Sequence, residues 1–188
     1  NKDYSDQNLV GKNFFADHIK DTDFSDANLV GADFRFANLD NVNFTNADLT
    51  GVDFSAATIT NSDFTGADLT NIYAATVRIK DNFFHNTNLS GAFLVGAEIL
   101  CAVLQEYDSQ RLLEMPSKHD CINNTNFENA NLSQTRLFNL DFSNSKVENT
   151  KFIMASVVKS IFPQEINADF SGSTLPATQF RGDLSNVI

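Results

Sequence analysis

The chain has 188 residues, 42% of them hydrophobic, and its 24 acidic and 13 basic side chains give a formal charge of -11. This length suits one domain, and the hydrophobic fraction is large enough for a core. No apolar run approaches the roughly 18 residues of a membrane span, and the negative charge argues against direct binding to nucleic-acid phosphates. The first residue is Asn rather than Met, which indicates a processed or trimmed N-terminus.

From Tyr4 onward, a large apolar residue returns at every fifth position, a spacing that fits neither a helix nor a strand. The phase runs unbroken from Tyr4 to Leu104, resumes at Phe127 and slips again after Pro163. The residue two before each centre is mostly Ala or another small residue, and the residue just before it is mostly Asp or Asn up to Asp68. We interpret both breaks as insertions into one repeat array.

Residues of the same type recur at every fourth centre, which is a spacing of twenty residues. One such series is Tyr4, Phe24, Phe44, Phe64, Phe84 and Leu104. This is expected if four pentapeptides make one square turn and the turns stack at the strand spacing of about 4.8 Å. The central Phe or Leu would fill the axis, and the outward Asp or Asn would bond to the backbone of the turn.

This pattern closely resembles the pentapeptide-repeat family, whose fold is a right-handed quadrilateral β-helix. The resemblance covers nearly the whole chain except about residues 105–124. It implies an all-β solenoid that forms a single domain. Coils would occupy residues 1–104, an insertion with a short helix 105–124, and further coils with a C-terminal cap 125–188.

No group of titratable residues points to catalysis, because the predicted axis is lined by Phe, Leu and Ile. His18, His85 and His119 fall on different turns, and no Cys or His lies beside them at a metal-ligand spacing. We therefore expect a protein that is not an enzyme and that has neither a cofactor nor a metal.

The two cysteines, Cys101 and Cys121, stand at the ends of the non-repeat segment. We expect a disulfide that closes this loop, which would imply an oxidising compartment. Two unpaired thiols are the alternative. Asp108 or Ser109 could cap a short helix that carries Leu112 and Leu113.

The outward position before each centre changes from polar to apolar at Tyr73, Phe83, Phe93 and Val103. Residues ten apart lie on opposite sides of a square turn, so Tyr73 and Phe93 should share one face and Phe83 the opposite one. Leu112 and Leu113 of the insertion are expected to cover Phe83. Exposed aromatic pairs mark contact surfaces, so Tyr73 and Phe93 are the better partner-binding candidates; Phe83, Leu112 and Leu113 are further ones.

The repeats are rich in Ala-Asp-Leu and Ala-Asn-Leu, which is similar to the cyanobacterial and plant members of the family. Some of those members are directed to the periplasm or the thylakoid lumen. We expect a protein-interaction solenoid in such a compartment, with an unknown protein partner, either monomeric or associated end to end.

The alternative is a cytoplasmic DNA mimic. Some members of the family resemble B-form DNA in width and charge, bind type II topoisomerases such as gyrase, and protect bacteria from quinolones. The charge of -11 is compatible with this function. Those proteins usually dimerise through a C-terminal helix, whereas this chain ends in TQFRGDLSNVI, which has no amphipathic stripe of useful length.

Overall fold

The computed structural model describes residues 2–101, 121–164 and 166–181, and no residue in these ranges is helical. The strands are β1 Lys2–Asp3, β2 His18–Lys20, β3 Thr22–Asp23, β4 Asn38–Asp40, β5 Thr58–Thr60, β6 Arg78–Lys80, β7 Glu98–Leu100, β8 Arg136–Phe138, β9 Thr150–Lys151, β10 Ser156–Val158, β11 Ile161–Phe162, β12 Ala168–Asp169 and β13 Gln179–Phe180. The chain therefore builds its structure from strands of two or three residues joined by tight corners.

All of these strands pair in parallel, and the chain forms a solenoid of about 8 turns. We call the four sides of each coil the first, second, third and fourth faces, to which Phe24, Leu29, Phe34 and Leu39 respectively contribute their inward side chains. The fourth face is a seven-stranded sheet in the order β10-β8-β7-β6-β5-β4-β2. The other faces are held mainly by two-stranded pairs and single bridges. The predicted all-β quadrilateral fold is confirmed.

Each pentapeptide combines bonds between coils with a local turn. The amide of Phe24 donates to the carbonyl of Asn43 in the next coil (2.7 Å), and the amide of Asn43 donates back to Thr22 (3.0 Å). Within the coil, the amide of Ala27 donates to Phe24 at 3.1 Å, which closes the corner. The corner residue Asp26 has a φ of 56°, a conformation that Asn, Asp and Gly tolerate best. This requirement explains the many Asn and Asp residues at corners.

Inward Phe side chains form stacks along the axis. The rings of Phe24 and Phe44 on the first face lie 5.3 Å apart and nearly parallel. Phe24 meets Phe34 of the third face edge-on, at 6.2 Å and 87°. Both are geometries that aromatic pairs prefer. The second inward position holds small residues such as Ala27, which is 1% exposed, because the corner leaves room for little more.

The aromatic stacks are interrupted in the middle of the solenoid. On the third face the series continues from Phe54 through Ala74, Leu94 and Leu132, and no Phe returns until Phe152. A buried cavity of about 20 Å³ lies along this part of the axis and is lined only by apolar side chains. The smaller inward residues leave this space unfilled.

The coils resume after the insertion at a position that differs from the sequence prediction. The amide of Phe84 donates to Cys121 at 2.7 Å, just as Phe64 donates to Phe83 at 2.8 Å. Ile122, which is buried, therefore occupies the first-face centre after Phe84, the position predicted for Leu104. The coils resume at residue 121 rather than 125, because hydrogen bonding to the previous coil begins there. Leu104 itself lies outside the described residues.

The second slip is a deletion and not the predicted insertion. Lys151 pairs with Asp169, 18 residues later, whereas the other strand pairs before the slip and outside the first insertion are 20 residues apart. The last turn is thus two residues short. The core stack survives, because Phe170 still lies 4.7 Å from Phe152 with its ring nearly parallel.

Candidate protein-interaction surface

Cys101 and Cys121 form the predicted disulfide, with their Cα atoms 6.0 Å apart. Both side chains are buried. The amide of Cys101 donates to Phe138 at 3.3 Å, and the side-chain amide of Asn139 donates to the carbonyl of Cys101 at 3.0 Å. The disulfide therefore fixes both ends of the insertion to the coils at the corner between the fourth and first faces.

Outward Asp and Asn residues stabilise the turns that follow them. The carboxylate of Asp53 accepts the amide of Ser55 at 2.8 Å, and the same bond joins Asp63 to Thr65 and Asp33 to Arg35. Such Asx bonds satisfy amides that have no partner in a strand ladder. The predicted local role of the outward polar residues is confirmed.

Tyr73 and Phe93 occupy two successive outward positions of the third face. They pair with each other as a parallel bridge, and Tyr73 pairs with Asp53 on its other side. The side chain of Tyr73 is 58% exposed and that of Phe93 is 41% exposed. The prediction that these two rings share one face is confirmed.

Phe83 lies on the first face, opposite Tyr73 and Phe93. It pairs with Asp63 and is half exposed. Its ring is 5.8 Å from that of His85 in an edge-on arrangement. Leu112 and Leu113, which were predicted to cover Phe83, lie outside the described residues.

A second aromatic cluster, which the sequence prediction missed, lies on the same third face and its following corner. The rings of Phe15 and Phe36 meet at 5.6 Å, and the guanidinium of Arg35 lies 5.5 Å from the ring of Phe15. Arg35 also makes a two-pronged contact with Asp33, at 2.9 and 2.7 Å. Phe15 and Phe36 stand at outward positions where the later coils carry Ser55 and Ala56, and this difference is the signal that could have found them.

The exposed apolar side chains are concentrated on one side of the solenoid. Among the described residues, seven large hydrophobic side chains are exposed. Five of them belong to the third face or the corner that follows it: Phe15, Phe36, Tyr73, Phe93 and Met154. Single exposed hydrophobic residues are ordinary, whereas a concentration of this kind is a candidate contact surface.

Two aspartates of the early coils have a lowered pKa. The hydrogen bond from Arg35 lowers the pKa of Asp33. On the fourth face, the side chains of Asn61, Lys20 and Thr60 lower the pKa of Asp40. Both shifts favour the carboxylate form of these two residues.

Within the ranges that the structure describes, no three His, Cys, Asp or Glu side chains come together as a metal site. No helix in those ranges is long and apolar enough to cross a membrane.

A family model described as pentapeptide repeats matches the chain in 8 copies, over residues 19–55, 37–72 and 122–152. No curated protein sequence matches it significantly.

Several solved structures are similar. QnrB1, a plasmid-mediated fluoroquinolone resistance protein, is 16% identical with a TM-score of 0.56, and the alignment covers 95% of this chain and 91% of that one. HetL, a pentapeptide repeat protein involved in heterocyst differentiation regulation in the cyanobacterium Nostoc sp. strain PCC 7120, is 19% identical (TM-score 0.44; 99% and 86% covered). A pentapeptide repeat protein from the Arabidopsis thaliana thylakoid lumen is 27% identical (TM-score 0.31; 63% and 73% covered).

Proposed function

This chain is a pentapeptide-repeat protein, and from that premise we propose that it is a non-enzymatic protein-interaction solenoid working in an oxidising compartment, a thylakoid lumen or a periplasm. The observation that carries the proposal is the exposed pair Tyr73 and Phe93. Solenoids use such extended regular faces to bind partners. The identity of the partner is left open.

The aromatic pair replaces residues that stabilise the turns of the other coils. An aromatic ring cannot accept the amide hydrogen bond that Asp53 accepts from Ser55. An aromatic residue at this position, in place of Asp, therefore gives up a stabilising hydrogen bond worth about 1 kcal/mol and leaves an apolar ring in water. Residues that weaken the fold while exposing apolar surface are explained best by recognition of another molecule.

The disulfide supports an oxidising compartment. Disulfides persist in secreted, periplasmic and similar spaces and are rare where thiols are kept reduced. Here Cys101 is 1% exposed, so the bond is of the buried, structural kind.

Capture of partners from the native source tests the interaction proposal. Immobilised wild-type protein should retain specific proteins that the Tyr73→Asn/Phe93→Asn variant loses. Asn is already present at the same outward position at Asn13 and Asn131, so the variant should keep the fold. Phe83→Asn is the matched control, because it makes the same change on the opposite face. If the wild-type protein retains no specific partner at all, the interaction proposal is wrong.

The redox state of Cys101 and Cys121 in protein taken from its native source tests the compartment. Alkylation without reductant followed by intact-mass measurement should find no modified cysteine. Two alkylated thiols would contradict the oxidising compartment.

A DNA mimic is the second candidate, and its support is the ladder of outward carboxylates. Asp33, Asp53, Asp48 and Asp68 lie in adjacent coils on the second and third faces, on a chain with a formal charge of -11. A gyrase supercoiling assay tests it directly. Inhibition or protection of gyrase at micromolar protein, combined with free thiols in the native protein, would favour this function over the lumenal one.

A further inference from the structure

We propose that the third face binds a cationic amphipathic helix of the partner protein, with the Phe15–Phe36 cluster and the Tyr73–Phe93 pair as its two anchor points. This inference rests on the proposed interaction function and assigns the surface and the chemistry of the partner. Phe83 is not part of this surface, because it lies on the first face, where its ring meets that of His85 edge-on.

The two anchor points are separated along the solenoid axis and lie on opposite sides of the central residues of the third face. Tyr73 and Phe93 come just before a central residue, and Phe15 and Phe36 come after one. Phe15 belongs to the first coil, Phe36 to the second, Tyr73 to the fourth and Phe93 to the fifth. Four coil spacings of about 4.8 Å give a span of about 19 Å. A helix of about 13 residues has this length at 1.5 Å per residue, and its apolar stripe would reach both anchors.

Backbone bonding excludes an added strand on this face. The amide of Tyr73 donates to Val52 at 2.9 Å, and its carbonyl accepts from Phe54 at 2.6 Å. Phe93 is bonded in the same way, to Ile72 and Ala74. A peptide that docks by strand addition needs free backbone groups at a sheet edge, so recognition on this face has to use side chains. A helix presents its side chains in this manner.

The corner before the third face is open in the second and third coils. Gly31 and Gly51 stand at this corner, and no atom lies within 4 Å of where a Cβ would stand at either. At Gly91, beside Phe93, the side chain of Asn71 occupies this space. A helix can therefore approach the coil backbone closely in the part of the surface between the two anchors.

The charge around the anchors indicates which charge the partner helix should carry. The surface between the anchors is bordered by four carboxylates on the second and third faces: Asp33, Asp53, Asp48 and Asp68. One guanidinium, that of Arg35, opposes them, and it already contacts Asp33 at 2.7 Å and Asp53 at 3.8 Å. The border is thus negative, and a helix that carries Lys or Arg beside its apolar stripe is complementary to it.

Phe36 itself supports a binding role. Its φ is 59°, in the left-handed region where a bulky side chain is unfavourable, and the side chain is 60% exposed. An exposed aromatic residue beside an arginine has the composition of an interaction hot spot. The contacts of Arg35 with Asp33 and with the ring of Phe15 hold this group in place before binding.

The test uses a fluorescein-labelled synthetic peptide of about 14 residues, made of Leu and Lys with the Leu residues on one helical face. Two peptides serve as controls: the same composition with the stripe scrambled, and a Leu/Glu peptide with the stripe intact. Anisotropy titration measures Kd for the wild-type protein, for the Phe36→Asn/Tyr73→Asn/Phe93→Asn variant and for Phe83→Asn. Every one of these substitutions introduces Asn at a type of position that holds Asn in other coils.

We expect the Leu/Lys helix to bind the wild-type protein and Phe83→Asn equally. The triple variant should bind it at least about tenfold more weakly, which corresponds to about 1.4 kcal/mol. The two control peptides should bind weakly to all three proteins. Equal binding by all three proteins, or equal binding of the scrambled peptide, would overturn the assignment.

The native partner separates failure of this inference from failure of the proposed function. If the Phe83→Asn variant fails to retain a partner that the triple variant retains, the third-face assignment is wrong while the interaction function stands. The same holds if the partner binds through an acidic segment. If no partner is captured and no peptide binds, both proposals fail.

Discussion

At the level of single residues, the centre of the solenoid reverses the order of the repeat. The earlier coils read Asp33-Phe34 and Asp53-Phe54, with the polar residue outward and the ring inward, whereas the fourth coil reads Tyr73-Ala74. The aromatic ring has moved from the core to the surface. This exchange explains both the exposed anchor and the buried cavity of about 20 Å³.

Filling that cavity should stabilise the protein. Ala74→Val adds two carbon atoms to a fully buried position that lines the cavity, and Val157 occupies a central position of the fourth face in a later coil without exposure. Burial of about 0.8 kcal/mol per methylene predicts a gain of about 1.6 kcal/mol in the free energy of unfolding. Urea denaturation of both proteins measures this difference.

Ala92→Val is the matched control, because Ala92 is equally buried but does not line the cavity. It should gain nothing or lose stability through overpacking. If the two variants change stability by the same amount, the cavity is not the cause.

The paired carboxylates predict loss of stability in acid. In the folded chain the pKa values of Asp33 and Asp40 are lowered, the first mainly by Arg35 and the second by Asn61, Lys20 and Thr60. An unfolded Asp titrates near about 3.9, so the stability from these groups is complete above that pH and is lost as pH falls through the folded pKa values. Both groups are partly exposed, which limits the effect.

Unfolding by urea at neutral pH and at about pH 2.5 measures this loss. The Asp33→Asn/Asp40→Asn variant should lose less free energy of unfolding on acidification than the wild-type protein. An equal loss in both would show that other carboxylates account for the acid sensitivity.

At the level of elements, the fold could be predicted from the sequence because each pentapeptide contains its own turn. The inward residue, the small corner residue and the Asx bond of residues such as Asp63 are all local. The exact limits of the insertion could not be predicted, because Leu104 has the right type and spacing and only the bond from Phe84 to Cys121 shows where the coil resumes. Phe15 and Phe36 were missed because the search for outward apolar residues followed only the position just before each central residue, where Tyr73 stands. Phe15 and Phe36 come one and two residues after a central residue.

The disulfide should stabilise the junction between the coils before and after the insertion. Its cysteines are 20 residues apart, and closing a loop of this size contributes about 3 kcal/mol in the chain-entropy description. Cys101→Ala/Cys121→Ala should therefore lower the free energy of unfolding by about 3 kcal/mol. The backbone bonds of both residues to neighbouring coils remain, so the variant should still fold.

Urea denaturation with and without dithiothreitol measures the contribution of this disulfide. Reductant should lower the stability of the wild-type protein to that of the double variant and leave the variant unchanged. A wild-type protein that loses no stability when both thiols are shown to be free would contradict the prediction.

At the level of the whole molecule, each coil contacts only its neighbours, so stability is close to a sum of coil and interface contributions. The first-face ring stack runs from Tyr4 to Phe84, and a second group of ring contacts begins at Phe127 and ends at Phe180. Within the described ranges no ring contact connects the two groups. Leu94 and Ile122 lie between them, beside the cavity and the insertion.

This gap predicts that the solenoid opens in two parts. The C-terminal part should open first, because its last turn is two residues short. The central residues are only partly buried at both ends of the solenoid, at Tyr4 and Leu9 as well as at Leu175 and Phe180. Residue-resolved hydrogen exchange in low concentrations of urea measures the opening free energies. Amides of the coils after Ile122 should share a lower opening free energy than amides of residues 24–84, with the change falling between Leu94 and Ile122. The same opening free energy and the same urea dependence along the whole chain would show that the solenoid opens as one cooperative unit. The coils on either side of the interrupted core would then be coupled as strongly as the coils joined by continuous ring stacks.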